Sequence, residues 1–385
     1  MRRHCARIPR SLEQDSMTAR KQLNVAMIGQ GFMGRAHSNA FHQVGHFCES
    51  AYDLRLKVIC GRNQEQLKAM AARWGWEEVA SNWKSVVERK DVDIIDICTP
   101  NYLHAPIAIA AAKAGKIVLC EKPLAMSVEE AEQMADAAKD VPTLVWFNYR
   151  RVPAIALAKK LVDEGKLGQI YHYRATYLQS WGADPVSPDG WRFKPSEAGS
   201  GAMGDLLSHS IDLALMLNGA VDEVSGLVHT FTSGRAVDDA VLMLASFANG
   251  TIGSFEATRF AIGCRNRNYF EIHGAKGAIR FDLEDLNRLQ VFDAGDATEV
   301  QGSHNILVTG PGHPYTSSFW PPGHIIGYEH TFVFTLADFL QSLEKNETFH
   351  ANFEDAVKVQ RVLHAVEESA RTRSWTRPES QSSKR

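Results

Sequence analysis

A chain of 385 residues carries 42 Lys and Arg against 45 Asp and Glu, a formal net charge of −3. That balance excludes the basic surface recruited by nucleic acid or an anionic membrane, and no apolar run approaches the roughly 20 residues that span a bilayer. With 44% hydrophobic and 23% charged residues the composition is that of a globular protein whose length points to two domains.

Residues 1–16 are basic without an apolar centre, which excludes a secretory signal, and Met17 offers an alternative start. Residues 1–22 are therefore expected to lie outside the fold as a tail. The six cysteines form no CxxC pair and no metal spacing; Cys60, Cys98 and Cys120 sit near the ends of apolar runs, as small hydrophobes do. A reduced, cytoplasmic setting is expected, with no metal.

From residue 23 to 147, short apolar runs alternate with helical stretches. LNVAMIG, LKVICG, IIDICTP, KIVLCEKP and TLVWFN read as strands buried on both faces. Helices are expected at 33–44, 65–74, 83–88, 105–114 and 128–138, the last opened by a capping box of Ser127 and Glu130. Strict alternation predicts an α/β, doubly wound parallel sheet of the Rossmann kind. From 148 to 375 the texture changes. A helix at 154–164 precedes runs at 169–179, 221–232, 240–247, 250–260, 269–273, 278–282 and 288–292, several separated by turn residues such as Asn249-Gly250. Helices are expected at 205–217, 332–343 and 355–372. The second domain is thus predicted to be α+β with an open, largely antiparallel sheet, followed by a disordered tail at 376–385.

GQGFMG follows the first strand and opens a helix, so Gly29, Gly31, Phe32, Met33 and Gly34 are placed against a dinucleotide pyrophosphate. The next strand ends at Gly61-Arg62-Asn63, where a carboxylate would bond the ribose 2′-hydroxyl of NAD. An arginine there can face a 2′-phosphate instead, which tilts that strand end toward NADP. Thr99, Pro100 and Asn101 leave the third strand at the ligand crevice, with His104 at the start of the next helix; Asn101 as a simple helix cap is the alternative.

In CEKPLAM, Lys122 sits at the carboxyl end of a strand, where its ammonium can stabilise negative charge on a substrate oxygen. Pro123 fixes the exit of the chain, and a cis bond there would aim the lysine. In GSGAMGDLLSHSIDLALML, Asp205 and His209 are four apart, a spacing that lets a carboxylate touch an imidazole on one helix face. Asp212 falls near the same polar edge. Spacing alone leaves open a helix-entry carboxylate beside a core-bonded histidine. The long segment 310–332, rich in aromatics and histidines, is expected to cover a site or meet a neighbouring subunit.

GQGFMG, TPNYLH, CEKP and GDLLSHSIDL, in this order, closely resemble the Gfo/Idh/MocA family of nicotinamide-dependent oxidoreductases. The likeness runs from about residue 23 to 373. WRF (191–193), the stretch 266–289 and GHIIGYEHTF (323–332) look like the branch of inositol dehydrogenases and levoglucosan-type sugar C3 dehydrogenases. The resemblance implies Lys122, Asp205 and His209 as the catalytic group, and a homodimer or homotetramer built on the second sheet. It also implies NAD as cofactor, against the local tilt to NADP. Trp191 and Arg192 would lie near cofactor and substrate, Glu121 would anchor the turn or approach the nicotinamide ribose, and Tyr149, Arg150 and His330 join the substrate side. The implied reaction is hydride transfer from a secondary ring hydroxyl of a sugar or cyclitol, with His209 as base, Asp205 polarising it and Lys122 on the reacting oxygen. A redox-neutral NAD-dependent glycosidase and a non-catalytic cofactor-binding regulator share the fold and stand as alternatives.

Overall fold

A computed structural model describes residues 20–184 and 190–378. The tails expected at 1–22 and 376–385 therefore lie mostly outside the described residues. Where they are described they join the fold, since Lys21 opens the first strand and Thr376 bridges to Val224.

The first half runs β1 (Lys21–Ile28), α1 (Phe32–Phe47), β2 (Tyr52–Cys60), α2 (Gln64–Trp74), β3 (Glu78–Ala80), α3 (Trp83–Val87) and β4 (Ile94–Ile97). It continues with α4 (His104–Lys113), β5 (Ile117–Cys120), α5 (Val128–Ala137) and β6 (Thr143–Val145). The strands form a six-stranded parallel sheet in the order β3-β2-β1-β4-β5-β6. β4 is buried at every position, as the apolar run IIDI requires, even though Asp96 is part of it. The chain reverses direction of build-out between β1 and β4, and a crevice opens beyond their carboxyl ends. The edge strand β3 is a departure from the five strands expected; three half-buried residues leave no apolar run to read.

The second half comprises α6 (Pro153–Asp163), β7 (Ile170–Leu178), α7 (Pro195–Ala198), α8 (Ser208–Asn218), β8 (Val221–His229), β9 (Ala240–Phe247) and β10 (Ile252–Thr258). Then follow β11 (Arg267–Gly274), β12 (Gly277–Asp282), β13 (Arg288–Asp293), β14 (Ser303–Leu307), α9 (Tyr328–Lys345) and α10 (Phe353–Thr372). Eight strands order as β14-β13-β12-β11-β7-β10-β9-β8, antiparallel except for the β7–β10 pair. Alternate residues Val241, Met243, Ala245 and Phe247 of β9 are buried, while Leu242 and Leu244 face out. The two last helices return to the first sheet's layer, α9 against α1 and α10 against α5.

Local signals behave physically. Ser127 Oγ accepts from the Glu130 N–H at 3.1 Å, and the Glu130 carboxylate reaches back to the Met126 N–H at 3.1 Å. The segment 310–327 packs on the outside of α1, with Phe319 stacked on Phe47 at 4.4 Å between centroids.

Candidate active site

The crevice at the end of the parallel sheet has a volume of about 880 Å³ and reaches from the Gly-rich turn to the second sheet. Gly29 has φ of +124°, and a Cβ there would meet the Cys98 carbonyl at 2.3 Å; only glycine fits this turn. Gly31 has open space where a Cβ would project. Phe32 and Met33 line the crevice with them, as do Gly61, Arg62 and Asn63 at its far end. Thr99, Pro100 and Asn101 line its middle, and Trp191 and Arg192 close one side. Asn101 is no helix cap: its Nδ2 donates to the Ala198 carbonyl at 2.9 Å, tying the two halves together. The Asn63 side chain is committed in part to capping α2 through the Gln66 N–H. A nucleotide fits this cradle on two further observations. Gln30 Oε1 and Thr99 Oγ1 are buried at the crevice without partners among the described residues, and both suit hydroxyl or amide donors of a ligand.

Lys122 enters this crevice from the end of β5, and the Lys122–Pro123 peptide is cis. Its Nζ donates to Asp205 Oδ1 at 3.0 Å and to the Asp205 carbonyl at 2.7 Å. Asp205 lies in a single π-helical turn, Met203–Leu207, that leads into α8. The turn is held at its start by the buried Asp238, whose carboxylate accepts from the Gly201 and Met203 N–H groups at 2.6 and 2.7 Å. Arg259, just past β10, donates from Nη2 to Asp205 Oδ2 at 2.8 Å. Burial opposes ionisation of Asp205, but Lys122, Arg259 and Arg192 outweigh it and hold its pKa well below the carboxylate range.

His209 is 5% exposed and lines the same crevice. The expected Asp205–His209 contact is not made. The wider π turn changes the register of the helix, and both carboxylate oxygens are taken by cations; among the described residues His209 has no hydrogen-bond partner. Its ring packs against Tyr149 at 4.6 Å and Phe147 at 6.0 Å between centroids. Burial, and then the Lys122 charge, push its pKa well below that of free imidazole, with Asp205 opposing, so the ring is neutral. A neutral imidazole is a proton acceptor.

Beside His209, Tyr149 and Tyr177 share a hydrogen bond at 3.0 Å between hydroxyls, and Tyr177 donates to Asn266 Oδ1 at 2.9 Å. Gln179 Nε2 donates to the same oxygen at 2.7 Å, and the Trp181 indole N–H donates to Gln179. Tyr149 was expected on the substrate side; the rest of this polar wall, with Arg259, was not foreseen. Its one sequence signal was the kind that marked Lys122: a charged or amide residue just past an apolar strand, here Arg259 after β10 and Gln179 after β7.

Beneath Lys122 lies a buried network. Glu121 accepts from the Lys122 backbone N–H at 3.1 Å and pairs through Oε1 with His37 Nε2 at 3.0 Å. The other ring nitrogen of His37 faces Asp96 at 2.9 Å and the Cys98 thiol at 3.0 Å. Asp96 also accepts from the Trp146 indole at 2.9 Å. Burial alone would lower the His37 pKa, but the two carboxylates raise it to about 9. Glu121, expected as a cofactor contact or turn anchor, therefore anchors the turn while also lining the crevice.

Four expected site residues lie elsewhere. Gly34 is packed within 3.1 Å of the Gly29 carbonyl, measured from the Cβ it lacks, and serves close helix–strand approach. His104 is fully buried, its ring nitrogens facing the Thr99 and Pro123 carbonyls at 3.0 Å each, so it staples the two crevice turns together without reaching a ligand. Arg150 is 8% exposed and bound to Asp212 and Asp355, which removes both Arg150 and Asp212 from the crevice. His330 accepts from the Gly327 N–H and packs on Phe319. From that same loop it is Tyr328 that lines the crevice.

A Gly-rich turn at the switch point of a parallel sheet, with a lysine, a carboxylate and a neutral histidine across the crevice, defines a dinucleotide-dependent oxidoreductase site. The sequence pattern described as the oxidoreductase family with NAD-binding Rossmann fold matches residues 23–149, and the GFO/IDH/MocA C-terminal domain pattern matches 155–280. Levoglucosan dehydrogenase of Pseudarthrobacter phenanthrenivorans is 43% identical over 382 residues, covering 92% of this chain and 98% of its own. The crystal structure of an oxidoreductase domain protein from Kribbella flavida superposes with a TM-score of 0.91 at 45% identity, over 93% of this chain and 100% of that one. A levoglucosan dehydrogenase solved with NADH and levoglucosan gives 0.90 at 44% identity, over 93% and 99%. The chain belongs to the Gfo/Idh/MocA family and is an NAD-dependent oxidoreductase.

Proposed function

We propose that this enzyme oxidises a secondary ring hydroxyl of a sugar or cyclitol, with an anhydrosugar or pyranoside oxidised at C3 as the leading substrate class. The observation that carries it is the convergence of Lys122 and the neutral His209 on one end of the cofactor crevice, faced by the wall of Tyr149, Tyr177, Gln179 and Asn266. Aromatic rings with amide and phenol groups suit a molecule that has apolar ring faces and many hydroxyls. The 43% identity to a levoglucosan dehydrogenase supports the anhydrosugar among these.

A nicotinamide held in this crevice would supply the hydride acceptor. The chain supplies the rest: a ring nitrogen of His209 takes the hydroxyl proton, and the Lys122 ammonium donates to the reacting oxygen as charge develops there. Asp205 fixes Lys122 in that place. Lys122 comes from the turn after β5 and His209 from α8, so the site is complete only with both halves of the chain. The free thiols of Cys48, Cys60, Cys98, Cys120 and Cys264 support a reducing, cytoplasmic setting. Among the described residues no helix is long and apolar enough to cross a membrane. We also propose a homo-oligomer formed through the outer face of the eight-stranded sheet.

The test is NADH absorbance at 340 nm with levoglucosan, glucose, inositols and glycosides, using wild type and the Lys122→Ala and His209→Ala variants. Both variants are expected to bind NAD with near-normal affinity and to lose about 10²- to 10⁴-fold in turnover. Near-normal turnover in either variant rejects the assignment. Aglycone release without net NADH would move the reading to a redox-neutral glycosidase, and silence with every substrate to a regulator.

A further inference from the structure

Asp205 and His209 stand four positions apart, yet their side chains have been separated. Asp205 Oδ1 is held by Lys122 and Oδ2 by Arg259. The two cations differ. Lys122 is a flexible stem whose side chain is 15% exposed, whereas the Arg259 side chain is 1% exposed and pinned under Trp181 at 4.7 Å from the ring centroid. Nε and Nη1 of Arg259 are buried with no partner among the described residues. Asp205 is the carboxylate hydrogen-bonded to this buried charge, with the buried Asp238 also acting on it, so the pair is hard to break from the arginine's side.

The separation has a chemical consequence. A carboxylate within hydrogen-bond reach favours the protonated imidazole and typically moves its pKa by about one to three units. A protonated ring has no lone pair for the substrate's hydroxyl proton. The groups facing His209 are few: Lys122 from the turn after β5, Asp205 from the π turn, Tyr149 from the turn after β6 and Tyr177 from β7. Both tyrosines are kept neutral by burial, and Glu121 and Tyr328 stand behind Tyr149. Among the described residues Asp205 is thus the one close anion that could recharge the ring, and Arg192 and Arg259 act on His209 through it.

We propose that Arg259 is a positioning residue of this enzyme, which clamps the Asp205 carboxylate against Lys122 and keeps it off His209 so that the imidazole stays free to accept a proton. The proposal rests on the reading of His209 as the base. It also makes Arg259 a reporter of that reading, because the clamp and the base are measured separately.

The experiment follows the His209 ring by NMR titration, its signal assigned through loss in His209→Gln, alongside the pH profile of kcat/KM for alcohol oxidation. In Arg259→Met the His209 pKa is expected to rise by about one unit or more, carrying the acid limb of the profile with it. Arg259→Lys should return most of the way. In the double variant Asp205→Asn/Arg259→Met, which has no carboxylate to release, the pKa should fall back. Should the methionine variant fail to fold, Arg259→Gln fills its place with the same expectation. A His209 that titrates at the wild-type pH in the uncharged variant overturns the proposal, since a purely structural arginine would lower turnover without moving that pKa. If the pKa rises but the acid limb stays, the clamp stands and the assignment of His209 as base is what fails.

Discussion

Arg62 stands at the carboxyl end of β2, where a dinucleotide's adenosine ribose is read. The acidic residues among the described crevice lining are Glu121 and Asp205, both at the opposite, reacting end. No carboxylate among the described residues is therefore at hand to take the ribose hydroxyls, which leaves the amide oxygen of Gln30, without a partner among the described residues, as a neutral acceptor lining that end. The amide group of Gln30 is steadied by its Nε2 donating to the Asn63 carbonyl at 3.2 Å. A neutral acceptor discriminates weakly against a 2′-phosphate, because it brings no like-charge repulsion, and an exposed guanidinium beside it adds attraction. NAD use follows from the family, while residual NADP use should depend on this one side chain. Arg62→Ala is expected to cut kcat/KM with NADP by about tenfold or more, the loss of one charge-assisted contact, and with NAD by less than threefold. Steady-state kinetics with both cofactors check it; equal losses would show that Arg62 lies over the adenine and does not read the phosphate.

At the scale of elements, His37 couples three of them. It rises from α1 into the space between β4 and β5, where Asp96 and Glu121 flank it and Trp146 stacks on it at 4.1 Å. Its folded pKa of about 9 lies above the ordinary 6.5, so its protonation favours the folded state. That contribution is fully present below pH 6.5 and is lost as pH rises through about 9; it is ~3 kcal/mol at most by linkage. Urea unfolding at pH 6, 7, 8 and 9 should show stability falling across the window, and His37→Gln should flatten the slope. A wild type equally stable at both ends would remove the charged imidazole from the account. This network also shows what a sequence carries and what it withholds. GQGFMG and CEKP were legible because glycine geometry and strand ends are local. Glu121 was chemically opaque because its partner His37 is 84 positions away. The same distance problem misled in the other direction. Arg150 looked like a substrate contact until Asp212 and Asp355 turned out to bury it, and Asp205 looked free to reach His209 until Arg259, 54 positions on, claimed it. Short strands such as the half-buried β3 and the mostly exposed β14 lack the apolar run or alternation that marks a strand in sequence.

For the whole molecule, the open question is what covers the outer face of the eight-stranded sheet. Its inner face is closed by α8 and α10, which pack on β7 and β8. The outer face is divided. Across β7, β11 and β12 it carries an ionic lattice of Arg174, Glu271 and Arg280. Across β8, β9 and β10 it exposes Leu227, Leu242, Leu244 and Ile252 at 46–56% of their surface. Leu227 and Leu242 are directly paired across strands, so these side chains form one patch. Edge-to-edge growth through β8 is obstructed, because Thr376 already bonds the Val224 backbone in both directions at 2.9 Å. Face-to-face pairing about a two-fold axis remains, and it would bury apolar patch on apolar patch while leaving each crevice untouched on the far side of the sheet. Charging the patch with Leu242→Glu and Leu244→Glu together should therefore lower the mass measured by light scattering to that of one chain. NAD affinity should stay within about threefold, since neither residue lines the crevice. A double variant that keeps the wild-type mass, or a wild type that is already monomeric, would mean the leucine patch does not hold copies of this chain together.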